Sequence, residues 1–326
     1  MYYIERKKGV ASRMLIILLL LIMPAILVTI SKRERSILMP ERYSFCSSRI
    51  RKPHRFVFLS DLHEVEFGKD NQRLLQAIER EQPEFLLIGG DFIRCHKVRP
   101  WSGHHHKDSV EVSCRFLEAV RDRYPVYYAI GNHEQRLREK AGIVRCTNGA
   151  KYDTYIQDMA RADYARLEEA LKGVHVLDDD SVELGELELS GLTLDLSYFR
   201  NRLTHPRKPL REEEIRAKVG MPDRTKFSIM MLHTPMYGHE ALRHGEDLVL
   251  SGHYHGGTIR IPGIGALMTP QFQFFVRECA GLFRDGEGAL LINRGLGTHS
   301  INIRINDKPE ISVITLLPEN GGHAQE

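Results

Sequence analysis

"LVLSGHYHGGTIRIPGIG" (Leu248–Gly265) runs from strand-forming residues straight into two histidines, His253 and His255, with glycines on either side. Imidazoles placed where a strand gives out, with the backbone stripped of side chains around them, suit a metal site. A polar turn that happens to hold two histidines has the same local sequence. The choice between them rests on what other strand endings bring to the same place.

Working outward, apolar runs alternate with helical patterns, which predicts an α/β chain. Strands are expected at Arg55–Asp61, Glu84–Asp91, Pro125–Glu134, in "FSIMMLH" and "EDLVLSGH", and in the tail through "EISVITLLP". Helices are expected in "KDNQRLLQAIERE", near Val110–Arg123 and over Tyr152–Gly173, with a hairpin in "SVELGELELSGLTLDL". The first strand ends in Asp61-Leu62-His63 and the second in Gly89-Gly90-Asp91. The third ends in Gly131-Asn132-His133-Glu134, the fourth in His233 and the fifth in Gly252-His253-Tyr254-His255. Open α/β sheets bind ligands at the carboxyl ends of their strands. Residues i and i+2 of an extended segment point to one side, so Asp61 and His63 are expected to converge, as are His253 and His255. Each ending is weak evidence alone; five in succession are hard to explain as turns.

This order of motifs resembles that of the calcineurin-like metallophosphoesterases. The resemblance spans nearly the whole of the chain after its first fifty residues. "LSGHYHGGTIRIPGIGALMTPQ" and "NRGLGTHSINIRINDKPEISVITL" are also similar to membrane-anchored or exported bacterial members, among them hydrolases of the UDP-diacylglucosamine pyrophosphate. The resemblance implies a four-layer α/β/β/α sandwich of two mixed β-sheets. It also implies a dinuclear centre, with Asp61, His63 and His255 on one metal and Asn132, His233 and His253 on the other. Asp91 would bridge the two, and His133 would be the catalytic acid. Arg94 stands where many relatives carry an aspartate. The expected reaction is hydrolysis of a phosphoester or pyrophosphate bond by metal-activated hydroxide. The donors are oxygen and imidazole without thiolate, which suits manganese first, with iron or zinc as alternatives. A non-catalytic membrane-tethered binding protein on the same scaffold, or a nuclease of the same superfamily, are the competing readings.

Composition narrows the classes further. A chain of 326 residues with 42% apolar and 27% charged content is that of a folded protein. A net charge of +3 gives no concentrated basic footprint, so no nucleic-acid partner is expected. Five cysteines, odd in number and without CxxC spacing, form neither a disulfide framework nor a zinc knuckle. "MLIILLLLIMPAILVTI" (residues 14–30) is uncharged and reads as a single-pass membrane anchor, with a cleaved signal peptide as the alternative. Lysines and arginines on both sides of it leave its orientation open. The expected division is a tail at 1–13, the anchor at 14–30, a basic linker at 31–50, a catalytic domain at 51–318 and a polar tail at 319–326. An anchor would hold the site near a bilayer, favouring a lipid-linked substrate at the cell membrane. His104, His105 and His106 read as a solvated loop, and Arg260 and Arg294 as surface or structural arginines or as clamps for a second phosphate.

Overall fold

A computed structural model describes residues 22–95, 109–147, 149–298 and 302–319. Trp101, His104–His106, His299 and residues 14–21 of the expected anchor lie outside them.

In chain order the strands are β1 (Met39–Ser47), β2 (His54–Leu59), β3 (Phe85–Ile88), β4 (Val126–Ala129), β5 (His175–Leu177), β6 (Asp180–Leu184), β7 (Leu187–Gly191) and β8 (Phe227–Met231). They continue as β9 (Leu248–Ser251), β10 (Arg260–Ile261), β11 (Gly265–Met268), β12 (Phe274–Val276), β13 (Gly281–Asp285), β14 (Gly288–Ile292) and β15 (Glu310–Pro318). The main helices are α1 (Gln72–Glu81), α2 (Glu111–Arg121), α3 (Asn132–Ala141), α4 (Thr154–Ala170), α5 (Glu212–Val219) and α6 (Gly238–His244).

Two six-stranded sheets form, in the orders β1-β15-β2-β3-β4-β5 and β13-β14-β9-β8-β7-β6. Both are mixed. In the first, β15 runs antiparallel to β2 while β2, β3, β4 and β5 are parallel. In the second, β14, β9, β8 and β7 are parallel, with β13 and β6 antiparallel at the edges.

The layers follow from the two-residue period of a strand. Phe56 and Phe58 of β2 face a core shared with Leu248 and Leu250 of β9 and Ile229 of β8, so this core lies between the sheets. Val57 and Leu59 face the other way, onto Leu74 and Ile78 of α1, Leu117 of α2 and Leu167 of α4. Val249 of β9 and Met230 of β8 turn outward onto Ile215 of α5 and Ala241 of α6. Three apolar layers thus separate four structural ones, giving the expected α/β/β/α sandwich. A one-residue slip of β2 would swap its faces. Phenylalanines would then be forced into space shaped for valine and leucine, and such overpacking typically costs about 1–3 kcal/mol.

One expectation changes. Residues 31–50 are not a linker: β1 pairs in parallel with β15 along nine positions from Met39–Glu310 to Ser47–Pro318. Phe45 and Ile50 enter the inter-sheet core, and these apolar anchors outweigh the flanking charges that make the stretch read as solvated. A helix also covers residues 22–35, with Ile22, Met23, Ile26 and Val28 exposed. Among the described residues no helix is long and apolar enough to cross a membrane. A small antiparallel sheet, β10-β11-β12, was not anticipated from sequence.

One buried acid outside the site makes stability depend on pH. Burial just before β9 pushes the Glu246 carboxyl up to about 8. Because the folded state holds that proton more tightly than the unfolded chain, stability is greatest below the ordinary glutamate range and declines as pH rises towards 8. Glu246→Gln is expected to leave the melting temperature near that of the parent at pH 5 and above it at pH 9. Equal melting temperatures at both would mean the proton is not held.

Candidate metal centre

Asp61, His63, Asp91, Asn132, His133, His233, His253 and His255 are all buried, in segments that follow β2, β3, β4, β8 and β9. Their ligand atoms group as Asp61–His63–His255, as Asp91–His233–His253 and as His63–Asp91–His133, each group within 4.8 Å. The first group holds the three residues expected on one ion, and the second joins Asp91 to His233 and His253, two of the three expected on the other.

The route to that convergence differs from the expected one. The strands stop short of the ligands, and Asp61, His63, Asp91, His253 and His255 all have φ between 47° and 62°. Left-handed backbone at a non-glycine residue is costly and concentrates at functional sites. The extended i, i+2 rule therefore does not apply; each loop coils back on itself. Asn132 and His133 are likewise not strand residues but the first turn of α3.

Glycines let the loops close up. At Gly252 an added Cβ would lie 1.8 Å from Ser60 Oγ and 2.2 Å from Asp61 Oδ2. At Gly90, with φ +88°, it would lie 2.4 Å from the backbone nitrogen of Gly131.

Each carboxylate is held by one oxygen and open at the other. Asp61 Oδ2 accepts from Ser60 Oγ and, at 2.9 Å, from the His253 N–H. Asp91 Oδ1 accepts from the His133 N–H at 2.7 Å. Asp61 Oδ1, Asp91 Oδ2, Asn132 Oδ1 and His233 Nε2 are buried and take part in no hydrogen bond among the described residues. Leaving such groups without partners costs about 1–3 kcal/mol each. Asp61 Oδ1 lies 3.3 Å from His255 Nε2 and 3.8 Å from His63 Nε2, and Asp91 Oδ2 lies 3.1 Å from His233 Nε2. Atoms that share one ion at about 2.0–2.2 Å sit at such separations. The residues fit a pair of divalent cations.

Backbone carbonyls orient the rings. His233 Nδ1 is 2.7 Å from the Gly89 carbonyl and His255 Nδ1 is 3.2 Å from that of Gly297, so each Nδ1 donates and Nε2 keeps its lone pair for the centre. His133 is built the other way. Its Nδ1 accepts the Cys95 N–H at 2.9 Å, which puts the proton of the neutral ring on Nε2, 4.0 Å from Asp91 Oδ2. A ligand needs a lone pair there; a hydrogen-bond donor needs the proton.

Burial raises the Asp91 carboxyl, but the His233 and His133 imidazoles outweigh it and hold the group well below the ordinary range. Burial alone would lower His233, yet Asp91 lifts it to about 10. Burial pushes Asp61 up to about 6 against the pull of His233. Cation binding displaces the His233 proton, so affinity increases with pH.

Some contributors had no role that the sequence assigned. Glu134 accepts from the backbone N–H groups of Asp91 (2.9 Å), Phe92 (3.0 Å) and Gly131 (3.0 Å) and from Tyr128 OH (2.8 Å), tying the β3 and β4 loops together. Phe199 packs edge-on to His253, ring centroids 5.1 Å apart. Arg304, fully buried, donates to the carbonyls of Arg294 and Gly295 and pairs with Asp307 at 3.0 Å. Arg94 donates to the His63 carbonyl at 2.7 Å, so the residue that departs from the family pattern supports a ligand loop. Arg294 is engaged by Glu310 and Glu41, which is the structural role, not that of a phosphate clamp. No disulfide joins any of the five cysteines, all of which are described residues.

The family model for calcineurin-like phosphoesterases matches residues 54–257. The uncharacterised metallophosphoesterase YkuE of Bacillus subtilis is 27% identical over 278 residues, 82% of each chain. Phosphodiesterase YaeI of Escherichia coli is 24% identical over 272 residues, 81% of this chain and 83% of its own. A solved Staphylococcus aureus structure, assigned provisionally as a 5'-nucleotidase, aligns at 14% identity and a TM-score of 0.40. That alignment covers 84% of this chain and 56% of the other, so this chain spans about half the length of that protein. With more than half of its residues matched by the family model, this chain belongs to the calcineurin-like phosphoesterases, hydrolases of phosphoesters that depend on metal ions.

Proposed function

We propose that the chain hydrolyses a phosphodiester or pyrophosphate bond of a lipid-linked substrate at the cell membrane, with manganese as the working metal. The observation that carries hydrolysis is the Oδ2 of Asp91, buried between two sets of imidazoles and 3.1 Å from His233 Nε2. Two divalent cations, when bound, supply Lewis-acid polarisation of the phosphoryl oxygens and a water of lowered pKa. Asp61, His63, His255 and Asp91 would hold one, and Asn132, His233, His253 and Asp91 the other. An all-oxygen and imidazole set is one that manganese accepts.

The protein's own groups do the rest. Asp91 and Asp61 fix the spacing of the two sets, because their second oxygens are locked by backbone N–H groups. His133 directs an N–H from Nε2 towards the site, where it stabilises charge on the leaving oxygen. Full proton transfer from an imidazolium would require a second proton on Nδ1, and that proton would displace the Cys95 bond. The expected acid therefore takes the form of a hydrogen-bond donor. Diester chemistry is supported by the name of the Escherichia coli relative, and the membrane location by the uncharged run at 14–30.

The test is turnover by the purified full chain, stripped with EDTA and reloaded with manganese. Bis-p-nitrophenyl phosphate, p-nitrophenyl phosphate and a vesicle-borne lipid pyrophosphate are the substrates. Metal-restored hydrolysis, faster on the diester or the lipid pyrophosphate than on the monoester, is expected. Metal binding without turnover of any of them would make the chain a binding protein and overturn the reading.

A further inference from the structure

Beside the metal loop the small sheet β10-β11-β12 carries an apolar surface that the hydrolytic site does not use. Phe272, Phe274 and Phe275 are 41%, 50% and 58% exposed, and Ile264, in the turn at the other end of the sheet, is 45% exposed. β12 has only β11 as a neighbour among the described residues, so these aromatics lie on or beside an open strand edge. Water-soluble proteins blunt such edges with charge or proline, since an exposed apolar edge strand otherwise pairs or aggregates. The backbone is also set against its own preference here: Phe272 has φ 60° and Phe275 φ 56°. Left-handed backbone at a bulky side chain is a conformational outlier that a fold keeps only when its surroundings hold it.

Hydrogen bonds tie this wing to the metal loop and, through residues 304–307, to the N-terminal helix. Gln273, between Phe272 and Phe274, accepts from Tyr254 OH at 3.0 Å, and Tyr254 lies between the ligands His253 and His255. Arg260 of β10 donates its backbone N–H to the Ile305 carbonyl at 3.0 Å. The segment after Ile305 is bonded to the N-terminal helix, where Asp307 N–H donates to Glu34 at 3.0 Å and Arg304 N–H to Ser31 Oγ at 3.0 Å. The helix over residues 22–35 therefore meets the fold through the segment that also bonds the wing. At the Ile264 end, Arg260 and Arg277 line a cleft of about 550 Å³. Aromatic side chains with flanking arginines are the composition of a membrane–water interface on an anionic leaflet.

We propose that the β10-β12 wing docks on a lipid bilayer. Phe272, Phe274 and Phe275 enter the acyl boundary, and Arg260 and Arg277 lie among anionic headgroups. The metal centre then opens towards the membrane surface. This rests on the membrane reading of the proposed function and adds the surface that makes contact and the orientation of the site.

The test uses the full chain in vesicles of phosphatidylcholine and phosphatidylglycerol. Trp101 is the one tryptophan, so Phe275→Trp in a Trp101→Phe background reports on the wing alone. Quenching of that tryptophan by brominated acyl chains is expected, with loss of quenching when Phe272 and Phe274 are both serine. Replacing all three phenylalanines by serine is expected to lower turnover of a vesicle-borne phosphoester about tenfold or more, the factor carried by burying one such side chain. Turnover of bis-p-nitrophenyl phosphate in solution stays at the parental rate. Water-like emission without quenching overturns the proposal, as does failure of the chain to sediment with vesicles. Blue-shifted emission without quenching overturns it too, by showing that a second copy or another protein surface covers the wing. Hydrolysis of the soluble diester, measured on the same samples, separates failure of the wing from failure of the hydrolase reading.

Discussion

Asp91→Asn is expected to lower kcat on a chromogenic diester by on the order of 10³-fold or more, because several kcal/mol of charge stabilisation are lost together. The reason is positional. Asp91 Oδ2 lies 3.1 Å from His233 Nε2 and 3.9 Å from His63 Nε2, so one atom serves both ligand sets. An amide keeps an oxygen there but loses the charge, and a flipped amide would present N–H groups to the cations. Metal content measured by elemental analysis should fall in parallel, and manganese should no longer raise the melting temperature. A variant that retained both metals and turned over within tenfold of the parent would remove Asp91 from the bridge.

His133→Ala is expected to cost about 10²–10⁴-fold in kcat, the range for losing a group that handles a proton on the leaving oxygen. Metal content should be unchanged, since His133 Nε2 carries a proton and not a free lone pair. The loss should be larger for poor leaving groups than for p-nitrophenolate. A neutral donor and an imidazolium acid separate in the pH profile. If the ring acts as a neutral Nε2–H donor, parent and variant share the same acid limb. If it acts as an imidazolium, the parent has a basic limb that the variant lacks. Undiminished turnover in the alanine variant would mean that the ring only packs against His63, whose ring centroid is 4.6 Å away.

The candidate ligand set was legible because it is carried by residue type and order along the chain. Asp61, His63, Asp91, Asn132, His233, His253 and His255 each follow a run of residues that forms a buried strand. A parallel sheet puts the ends of such strands along one edge, so order along the chain becomes proximity in space. The local geometry was not legible. Alternation along an extended chain predicts that Asp61 and His63 share a side, yet both are left-handed, at φ 54° and 47°. Their backbone is set by contacts with other loops, including the Gly90 carbonyl that accepts the Asp61 N–H at 3.0 Å. Strand β1 was hidden for a related reason. Its edge position leaves Arg42, Ser44 and Cys46 exposed in alternation, and only pairing with β15, more than 260 residues away, makes it a strand.

Residue identity and sequence order were enough to indicate the α/β class, the strands that precede the candidate ligands and the side chains able to bind two cations, since these depend on local pattern and donor chemistry. Long-range contacts settled the rest. They made Glu134 the tie between two ligand loops, put the His133 proton on Nε2, engaged Arg294 with two glutamates and set three phenylalanines on the open edge of a small sheet. A carboxylate, an imidazole or a phenyl ring has the same formula wherever it occurs. What it does depends on which donors, acceptors and apolar surfaces the folded chain places against it.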